Sequence, residues 1–333
     1  MKMNKYLNTL WLVLFGLMTV GCAEEVSETE EEVQRRILEA YIKTTYGDMY
    51  QPTQSGMYII PISTGYGDVV LFDSCYVLVQ YEVRALNNAV LETSYESTAM
   101  EMGTYAPNAY YGRHLWKLGE DGVNDGLDEL IRTIRVGGKS RGIIPPWLAS
   151  DNDDANITVS GSESIIIYDI QLDSIIRDRQ LYEINRLARY SYLNHNNLDS
   201  LKKGFYFQRI GEDRSHDTIP DNSKVHVRYV GRYLSGKVFD TNVADTAKRY
   251  RFNLDGKFET LDLTYRDSLE AMYEENEMVK GFVKAIHNMN YGERAITFFS
   301  SDWGYGSTSS AATGGVPAWE PLFFEIWVED TSL

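Results

Sequence analysis

The sequence predicts an α+β protein with two similar domains, each an antiparallel sheet wrapped on a short helix, joined by a helical connector. Residues 224–242, KVHVRYVGRYLSGKVFDTN, alternate apolar and polar side chains before a Ser-Gly turn, which is typical of a β-hairpin. Residues 76–94 repeat this pattern, and the stretch between the two copies has helical spacing. The expected segments are a signal peptide at 1–22, an acidic tether and helix at 23–50, a first domain at 51–175, a connector at 176–203 and a second domain at 204–333.

The composition excludes several classes of function. The 333 residues are 43% hydrophobic and 24% charged, which is typical of a packed protein with room for two domains. The net charge of −16 would repel phosphates, so nucleic acid is not an expected partner. The five histidines lack metal-ligand spacing and no Ser/His/Asp arrangement is present, so we expect neither a metal nor another cofactor.

The first residues indicate export. Lys2 and Lys5 precede a mostly apolar, uncharged run at 6–20, which is too short for a membrane span and is typical of a secretory signal. The run closes on MTVGC, which resembles the lipobox of bacterial lipoproteins, although Thr19 stands where leucine is usual. We therefore expect lipidation at Cys22, a membrane anchor, and a place at the outer membrane, on its periplasmic face or the cell surface. The alternative is a plain signal peptide that contains a cysteine.

The stretch AEEVSETEEE after Cys22 has two interpretations. It resembles the surface-export signals of Bacteroidetes lipoproteins, and it is also typical of a solvated tether that leads into a helix. Ser27 and Glu30 have the spacing of a capping box. The apolar positions expected on one face of that helix are Val33, Ile37, Leu38 and Tyr41.

An internal repeat organises the rest of the chain. The offset between the copies grows from 148 to 155 residues, so the second copy gains seven residues between its first two blocks. Each copy predicts strand, turn, strand, insertion, short helix, strand, loop and last strand. Three blocks align in the same order: 76–94 with 224–242, 125–140 with 280–295, and 165–172 with 321–328.

A regular helix is expected between the copies. The stretch DRQLYEINRLARYSYLNHNN has apolar residues at helical spacing, followed by Asn and Asp. We expect this connector to pack on one or both domains. The positions that predict its packed face are Leu181, Ile184, Leu187 and Ala188.

From about Val225 to Val328 the second copy resembles the FKBP-type peptidyl-prolyl isomerases. The resemblance is carried by GKVFD, EMVKGFVKAIHNMNYGERAITF, YG at 305–306, VP at 316–317 and PLFFEIWVED, in this order. It implies two FKBP-like domains and an isomerase that acts on Xaa-Pro bonds of proline-containing clients outside the cytoplasm, through an apolar aromatic pocket and without a cofactor. The alternative is a non-catalytic FKBP-like peptide-binding or chaperone module in an envelope complex.

The resemblance also implies the site residues. Phe282 stands at the pocket floor, where many members have tryptophan, and Arg249 is a candidate partner for the pocket carboxylate. Asp240 is that carboxylate, although carboxylates at hairpin ends are often only solvated. The residues implied to act in catalysis are Tyr229, Phe239, Asp240, Val279, Phe282, Tyr305 and Phe324, and those implied to bind substrate are Met278 and Tyr250, with Phe252 as the alternative to Tyr250.

The two copies differ where the site is expected. The long stretch 255–276 exceeds the usual length in this family and is expected to cap or extend the groove. The first copy keeps Tyr81, and Tyr168 falls where Phe324 falls, but the first copy loses most of the other rings. We therefore expect weak or no isomerase activity from 51–175. Its replacements at the positions of Phe239, Asp240, Val279, Phe282 and Tyr305 are Leu91, Glu92, Asn124, Leu127 and Ser150.

Overall fold

The computed structural model describes residues 28–72, 74–120, 122–149, 164–212, 214, 217–252, 258–308 and 315–330. The expected signal peptide, Cys22, Ser27 and Ser150 lie outside the described residues. Within these ranges, no helix combines the length and the apolar character that crossing a membrane requires.

The chain forms two successive units that each begin with a helix. The first unit contains α1 (Glu30–Tyr46), β1 (Tyr58–Ser63), β2 (Tyr76–Ala85), β3 (Val90–Thr93), α2 (Glu96–Glu101), β4 (His114–Lys117), α3 (Asp125–Arg132), β5 (Lys139–Ile144), a 3₁₀ turn (Pro146–Leu148) and β6 (Ile166–Ile176). The second contains α4 (Arg179–Asn194), β7 (Phe205–Ile210), β8 (Lys224–Tyr233), β9 (Val238–Thr241), α5 (Ala244–Arg249), β10 (Leu261–Thr264), α6 (Leu269–Glu275), α7 (Lys280–His287), β11 (Arg294–Phe299), a 3₁₀ turn (Ser301–Trp303) and β12 (Leu322–Val328).

The two sheets have the same topology, and all their strand pairs are antiparallel. The first runs β1-β5-β6-β2, with β3 and β4 both paired to β2, and the second runs β7-β11-β12-β8, with β9 and β10 both paired to β8. Helix α6 lies in the second unit, which is the longer copy, and it has no counterpart in the described part of the first. The α+β fold and the internal duplication predicted from the sequence are therefore confirmed.

Each sheet is covered on both faces. The inner face of the first sheet packs on α3, and that of the second packs on α7. The outer face of the first sheet packs on Leu38 and Ile42 of α1, and that of the second packs on Leu187 of α4. Because each covering helix precedes its sheet in the chain, the repeated unit is a helix followed by a sheet. The boundary predicted at 204 would separate α4 from the sheet that it covers.

The same kind of cap begins both covering helices. The Thr29 hydroxyl accepts from the backbone N–H of Glu32, whose carboxylate accepts from the N–H of Thr29 in a capping box. Asp178 caps α4 by accepting from the N–H of Leu181 at 2.8 Å. The capping box therefore lies two residues after the predicted Ser27–Glu30 pair, because the helix begins at Glu30 itself.

The packed faces of these helices differ in part from the predictions. Ile37 is 41% exposed on α1, and Leu181 is 54% exposed on α4. Two polar residues, Glu183 and Ser191, are buried with Leu187 because each finds a hydrogen-bond partner in the second unit. A pattern based on apolar residues alone misses such a face.

Aromatic contacts join the two units. The ring of Tyr110 meets that of Tyr233 edge to face at 4.9 Å, and the ring of Tyr76 meets that of Trp319 at 5.6 Å. Tyr233 belongs to β8, and Trp319 lies in the loop before β12. The first unit therefore contacts the second close to the strands that bear the predicted site.

Truncation of Leu187 should test the covering role of α4. Leu187→Ala opens space between α4 and the second sheet, so the free energy of unfolding should fall by about 2–4 kcal/mol. Leu181→Ala makes the same chemical change on the exposed face of that helix, so its effect should stay within about 0.5 kcal/mol. Urea unfolding of both variants measures the difference, and equal effects would contradict the packing described here.

Candidate active site

The hairpin of β8 and β9 brings Tyr229 and Asp240 together. The Tyr229 hydroxyl donates to Oδ2 of Asp240 at 2.8 Å. The Thr241 hydroxyl donates to the Tyr229 carbonyl at 2.7 Å, and the Asn242 side chain accepts from the Tyr229 N–H at 2.8 Å. The end of the hairpin is thus fixed by three bonds to one tyrosine, which holds its ring in place.

Three phenylalanines from different parts of the second unit converge beside Tyr229. The ring of Phe282, on α7, lies 5.5 Å from that of Tyr229 and 5.1 Å from that of Phe324, on β12. Phe239, on β9, lies 5.6 Å from Phe324. All three contacts are edge to face, the favourable arrangement for aromatic quadrupoles.

Gly231 makes this convergence possible. It lies on β8 opposite Phe324, and a Cβ at this position would lie 2.7 Å from the Phe239 ring and 3.0 Å from the Phe324 ring. Any larger residue would therefore push the two rings apart.

The rings form one side of a cavity of about 610 Å³. Phe239, Phe282 and Phe324 are each less than 5% exposed. The cavity is lined by Tyr229, Phe239, Asp240, Tyr273, Asn276, Glu277, Met278, Val279, Lys280, Phe282, Ser301, Asp302, Gly304, Tyr305, Gly306, Thr308 and Phe324.

Two hydrogen-bonding groups of the cavity lining are available to a ligand. Val279 precedes the first turn of α7, and no described residue accepts a hydrogen bond from its N–H. The Tyr305 hydroxyl likewise has no partner among the described residues, whereas the Tyr305 carbonyl accepts from Thr308. Because unpaired donors in a partly dry cavity gain most from a ligand, both are candidates to bind a peptide carbonyl.

Burial governs the ionisation of the Tyr229–Asp240 pair. Loss of solvent raises the pKa of the Asp240 carboxyl, against the opposing effects of hydrogen bonds from the Tyr229 hydroxyl and the Thr241 backbone. Loss of solvent also raises the pKa of the Tyr229 hydroxyl, and the nearby Asp240 charge adds to this shift. Tyr229 therefore stays neutral near pH 7, and its hydroxyl donates the side-chain hydrogen bond that stabilises the Asp240 carboxylate.

Arg249 does not pair with Asp240 in the described part of the chain. The guanidinium of the nearby Arg232 donates instead to the Gly236 carbonyl at 3.2 Å and to the Tyr250 hydroxyl at 3.1 Å. The candidate pairing of Arg249 with the pocket carboxylate is therefore wrong.

The structure brings together most of the residues that the sequence pointed to. Tyr250 is the exception, because α5 ends at Arg249 and places Tyr250 as its C-cap, with its ring beside Arg232 and Phe252. Neither Tyr250 nor Phe252 lines the cavity, so the expected wall position is corrected. The expected residues that do line it are Tyr229, Phe239, Asp240, Met278, Val279, Phe282, Tyr305 and Phe324.

Sequence reasoning missed two groups of lining residues. Tyr273 and Asn276 come from α6 and its end, within the long stretch expected to extend the groove. Ser301 and Asp302 come from the 3₁₀ turn after β11. The length of the insertion signalled the first group, whereas nothing in the local pattern signalled the second.

A tryptophan lies beside the corresponding tyrosine of the first unit. Tyr81 still donates to Glu92, as Tyr229 does to Asp240. The fully buried ring of Trp116, on β4, lies 4.9 Å from that of Tyr81, while Leu91 is 50% exposed and turned away from the core. The first unit thus keeps the tyrosine–carboxylate pair and places a tryptophan beside it, at the β4 position that corresponds to Leu263 on β10.

Within 28–330, excluding the gaps in the described ranges, no group of three or more His, Cys, Asp and Glu residues is placed to hold a metal ion.

The buried carboxyl predicts an unusual pH dependence. Above its raised pKa, Asp240 carries a charge that the fold disfavours; below the unfolded value of 3.8, both states are neutral. The melting temperature of Asp240→Asn should therefore exceed that of the parent by most near pH 7. This difference should shrink as the pH is lowered toward 3.8. Asp199→Asn, at an exposed position, is the control, and an Asp240 difference that does not change with pH would refute the effect.

The second unit is similar in sequence to known proteins. The model of the family described as FKBP-type peptidyl-prolyl cis-trans isomerase matches residues 216–329. The chain is 33% identical over 128 residues to the macrophage infectivity potentiator of Trypanosoma cruzi, covering 38% of this chain and 52% of that protein. It is 32% identical over 120 residues to FK506-binding protein 3 of Candida albicans, covering 35% of this chain and 22% of that protein. The chain thus spans about half, or less, of the length of these relatives.

Two solved structures match the chain at low sequence identity. The structure of the three FKBP domains of wheat FKBP73 is 15% identical, with a TM-score of 0.30, covering 83% of this chain and 95% of the other. That of FkpA from Escherichia coli is 20% identical, with a TM-score of 0.32, covering 53% and 74%. Residues 216–329, which match the family model, contain every residue that lines the cavity.

Proposed function

We propose that the second unit catalyses cis–trans isomerisation of Xaa-Pro bonds in polypeptide clients. The observation that supports this most directly is the convergence of Tyr229, Phe239, Phe282 and Phe324 on one cavity. At about 610 Å³ the cavity is within the range of small-ligand sites and has room for a proline ring with its flanking peptide.

The chemistry needs no nucleophile or metal. Rotation about a peptide bond breaks amide resonance, which accounts for a barrier of about 18–20 kcal/mol. The twisted amide is less dipolar than the planar amide, so an apolar wall of rings favours the twisted form relative to water. Catalysis then follows from tighter binding of the twisted form than of either planar isomer.

Polar groups would orient the peptide. The Val279 N–H and the Tyr305 hydroxyl would donate to carbonyl oxygens on either side of the rotating bond, and the proline ring would rest on Phe282. Asp240 would act through Tyr229, because the bond between them fixes the tyrosine ring against Phe282 and Phe324.

The first unit, by contrast, is proposed to be a non-catalytic module. The Trp116 ring packs against Tyr81, and Leu91, which is half exposed, supplies no aromatic wall. Its contacts through Tyr76 and Tyr110 suit a structural support for the second unit.

The proposed site of action is the cell envelope. The sequence features that support it are the basic and apolar first 20 residues and the lipobox-like MTVGC that ends at Cys22. Acylation of Cys22 would anchor the protein to a membrane and direct it to extracytoplasmic clients at the outer membrane.

Isomerase activity should depend on the rings of the cavity. The chain from residue 23 onward should accelerate exchange in a short Xaa-Pro peptide, followed by magnetisation-transfer NMR. Phe239→Ala removes a wall and should lower kcat/KM by roughly tenfold or more, which corresponds to about 1.4 kcal/mol or more. Tyr192→Ala, which removes a 70% exposed ring from α4, is the matched control and should leave the rate unchanged.

Two outcomes would count against this proposal. Background exchange with the parent chain would remove the catalytic function. Acceleration that Phe239→Ala leaves intact would place the active surface elsewhere.

Lipidation can be tested at a single position. With Cys22→Ser, incorporation of a fatty-acid label should be lost and the protein should move from the membrane fraction to the soluble fraction, because the thiol is the acylated group. Cys75→Ser, which changes the buried cysteine of the first unit, is the control and should keep the label. Labelling of the Cys22→Ser protein would exclude this anchor.

A further inference from the structure

We infer that Glu183 and Arg179 of α4 are positioning residues for the isomerase site, because they fix the turn that carries Tyr305. The inference rests on the proposed function of the second unit and adds the covering helix to its site. The turn consists of the 3₁₀ segment Ser301–Trp303 and the residues up to Gly306.

Glu183 is fully buried and all its hydrogen bonds point toward this turn or toward Arg179. One carboxylate oxygen accepts from the Ser301 N–H at 2.7 Å. The other accepts from the Ser301 hydroxyl at 2.9 Å and from Arg179 at 2.6 Å. A buried carboxylate with this many donors is costly to displace, so α4 and Ser301 move together.

Ser301 also forms hydrogen bonds with both neighbours of Tyr305. Its carbonyl accepts from the N–H of Gly304 at 2.8 Å and from the N–H of Gly306 at 2.9 Å. Tyr305 lies between these two glycines, so its backbone is held from both sides by one serine. The Gly306 carbonyl in turn accepts from the Trp319 N–H at 2.8 Å.

Arg179 joins the remaining parts of the turn. Its guanidinium donates to the Ser301 hydroxyl at 3.0 Å and to Asp302 at 2.7 Å, and it lies 4.4 Å from the centre of the Trp319 ring. The planar guanidinium can make these contacts at once, because its donors point in several fixed directions. One side chain of α4 thus contacts the start of the turn and the loop that closes it.

The first unit provides a comparison within the same chain. Aligning the N-caps Thr29 and Asp178 places Gln34 at the position of Glu183, and Pro146 falls at the position of Ser301. Proline has neither an N–H nor a hydroxyl, so it cannot donate either of the bonds that Glu183 accepts. The unit that lacks a tyrosine at the position of Tyr305 therefore also lacks the donors that would fix one.

The alternative is that Glu183 and Arg179 only attach α4 to its sheet. In that case their loss would lower stability and would change activity no more than another buried contact of α4 does. Ser191 supplies that contact, since its hydroxyl donates to the Leu198 carbonyl at 2.6 Å near the other end of the helix. Ser191→Ala is therefore the matched control.

A double-mutant cycle with Tyr305 separates the two roles. In the chain from residue 23 onward, Glu183→Gln should lower kcat/KM for a short Xaa-Pro peptide by about tenfold, since a misplacement of 1 Å can cost up to about 100-fold. In the Tyr305→Phe background the same change should cost less than about twofold, because the group that it positions is already absent. Equal losses in both backgrounds, or a Glu183→Gln loss no larger than that of Ser191→Ala, would overturn the inference.

A second measurement does not depend on catalysis. Amide hydrogen exchange at Gly304 and Gly306 should be at least about tenfold faster in Glu183→Gln than in the parent, and unchanged in Ser191→Ala. Unchanged exchange at both glycines would overturn the inference even if the parent is active. A parent that gives only background isomerisation would refute the proposed function, while this exchange result would still decide whether α4 holds the turn.

Arg179→Lys provides a further variant if Glu183→Gln does not fold. It keeps the positive charge beside Glu183 but cannot span Ser301 and Asp302, so it should also speed exchange at the two glycines. Protection equal to that of the parent would show that the arginine does not hold the turn.

Discussion

Both faces of each sheet carry large apolar side chains, so one core helix cannot keep either sheet out of water. In the second unit, Phe299 and Phe324 face the core helix, while Phe298 and Phe323 face the opposite side. Full burial of such a side chain contributes about 1.5–3 kcal/mol, which makes an open outer face costly. The covering helices α1 and α4 bury these outer faces, so each repeated unit consists of a helix followed by a sheet.

The same requirement shapes the functional end of the second unit. Because α4 lies across the outer face, its first turn lies beside the 3₁₀ turn after β11. Arg179 and Glu183 there form hydrogen bonds with Asp302 and Ser301, which line the cavity. The cavity itself depends on few positions. In the first unit, an exposed leucine stands at the position of Phe239 and a buried tryptophan on β4 packs against Tyr81, while the scaffold is kept. A shared fold therefore carries different side chains at the same positions in its two copies.

Much of the fold was accessible from the sequence because alternation and repetition report on local geometry. The matched hairpins and the short core helices follow from such patterns, whereas the eight expected residues that line the cavity came from the family resemblance. Tyr250 was misplaced because the end of α5 decides which way its ring points, and helix ends are poorly specified by periodicity. The packing of α4 was expected, but part of its packed face was missed for a different reason: that face includes Glu183 and Ser191. Their partners lie more than 100 residues away in one case and beyond the end of the helix in the other.

The order of the strands has a consequence for synthesis on the ribosome. The last strand of each unit, β6 or β12, lies in the interior of its sheet and joins the strands made early to the strands made late. Neither sheet can therefore close until its final strand has left the exit tunnel. Helix α4 emerges well before β12. Its apolar side therefore stays exposed to water, or bound to a chaperone, while about 130 further residues are translated. Slow elongation through this interval would prolong the exposure of that helix to aggregation.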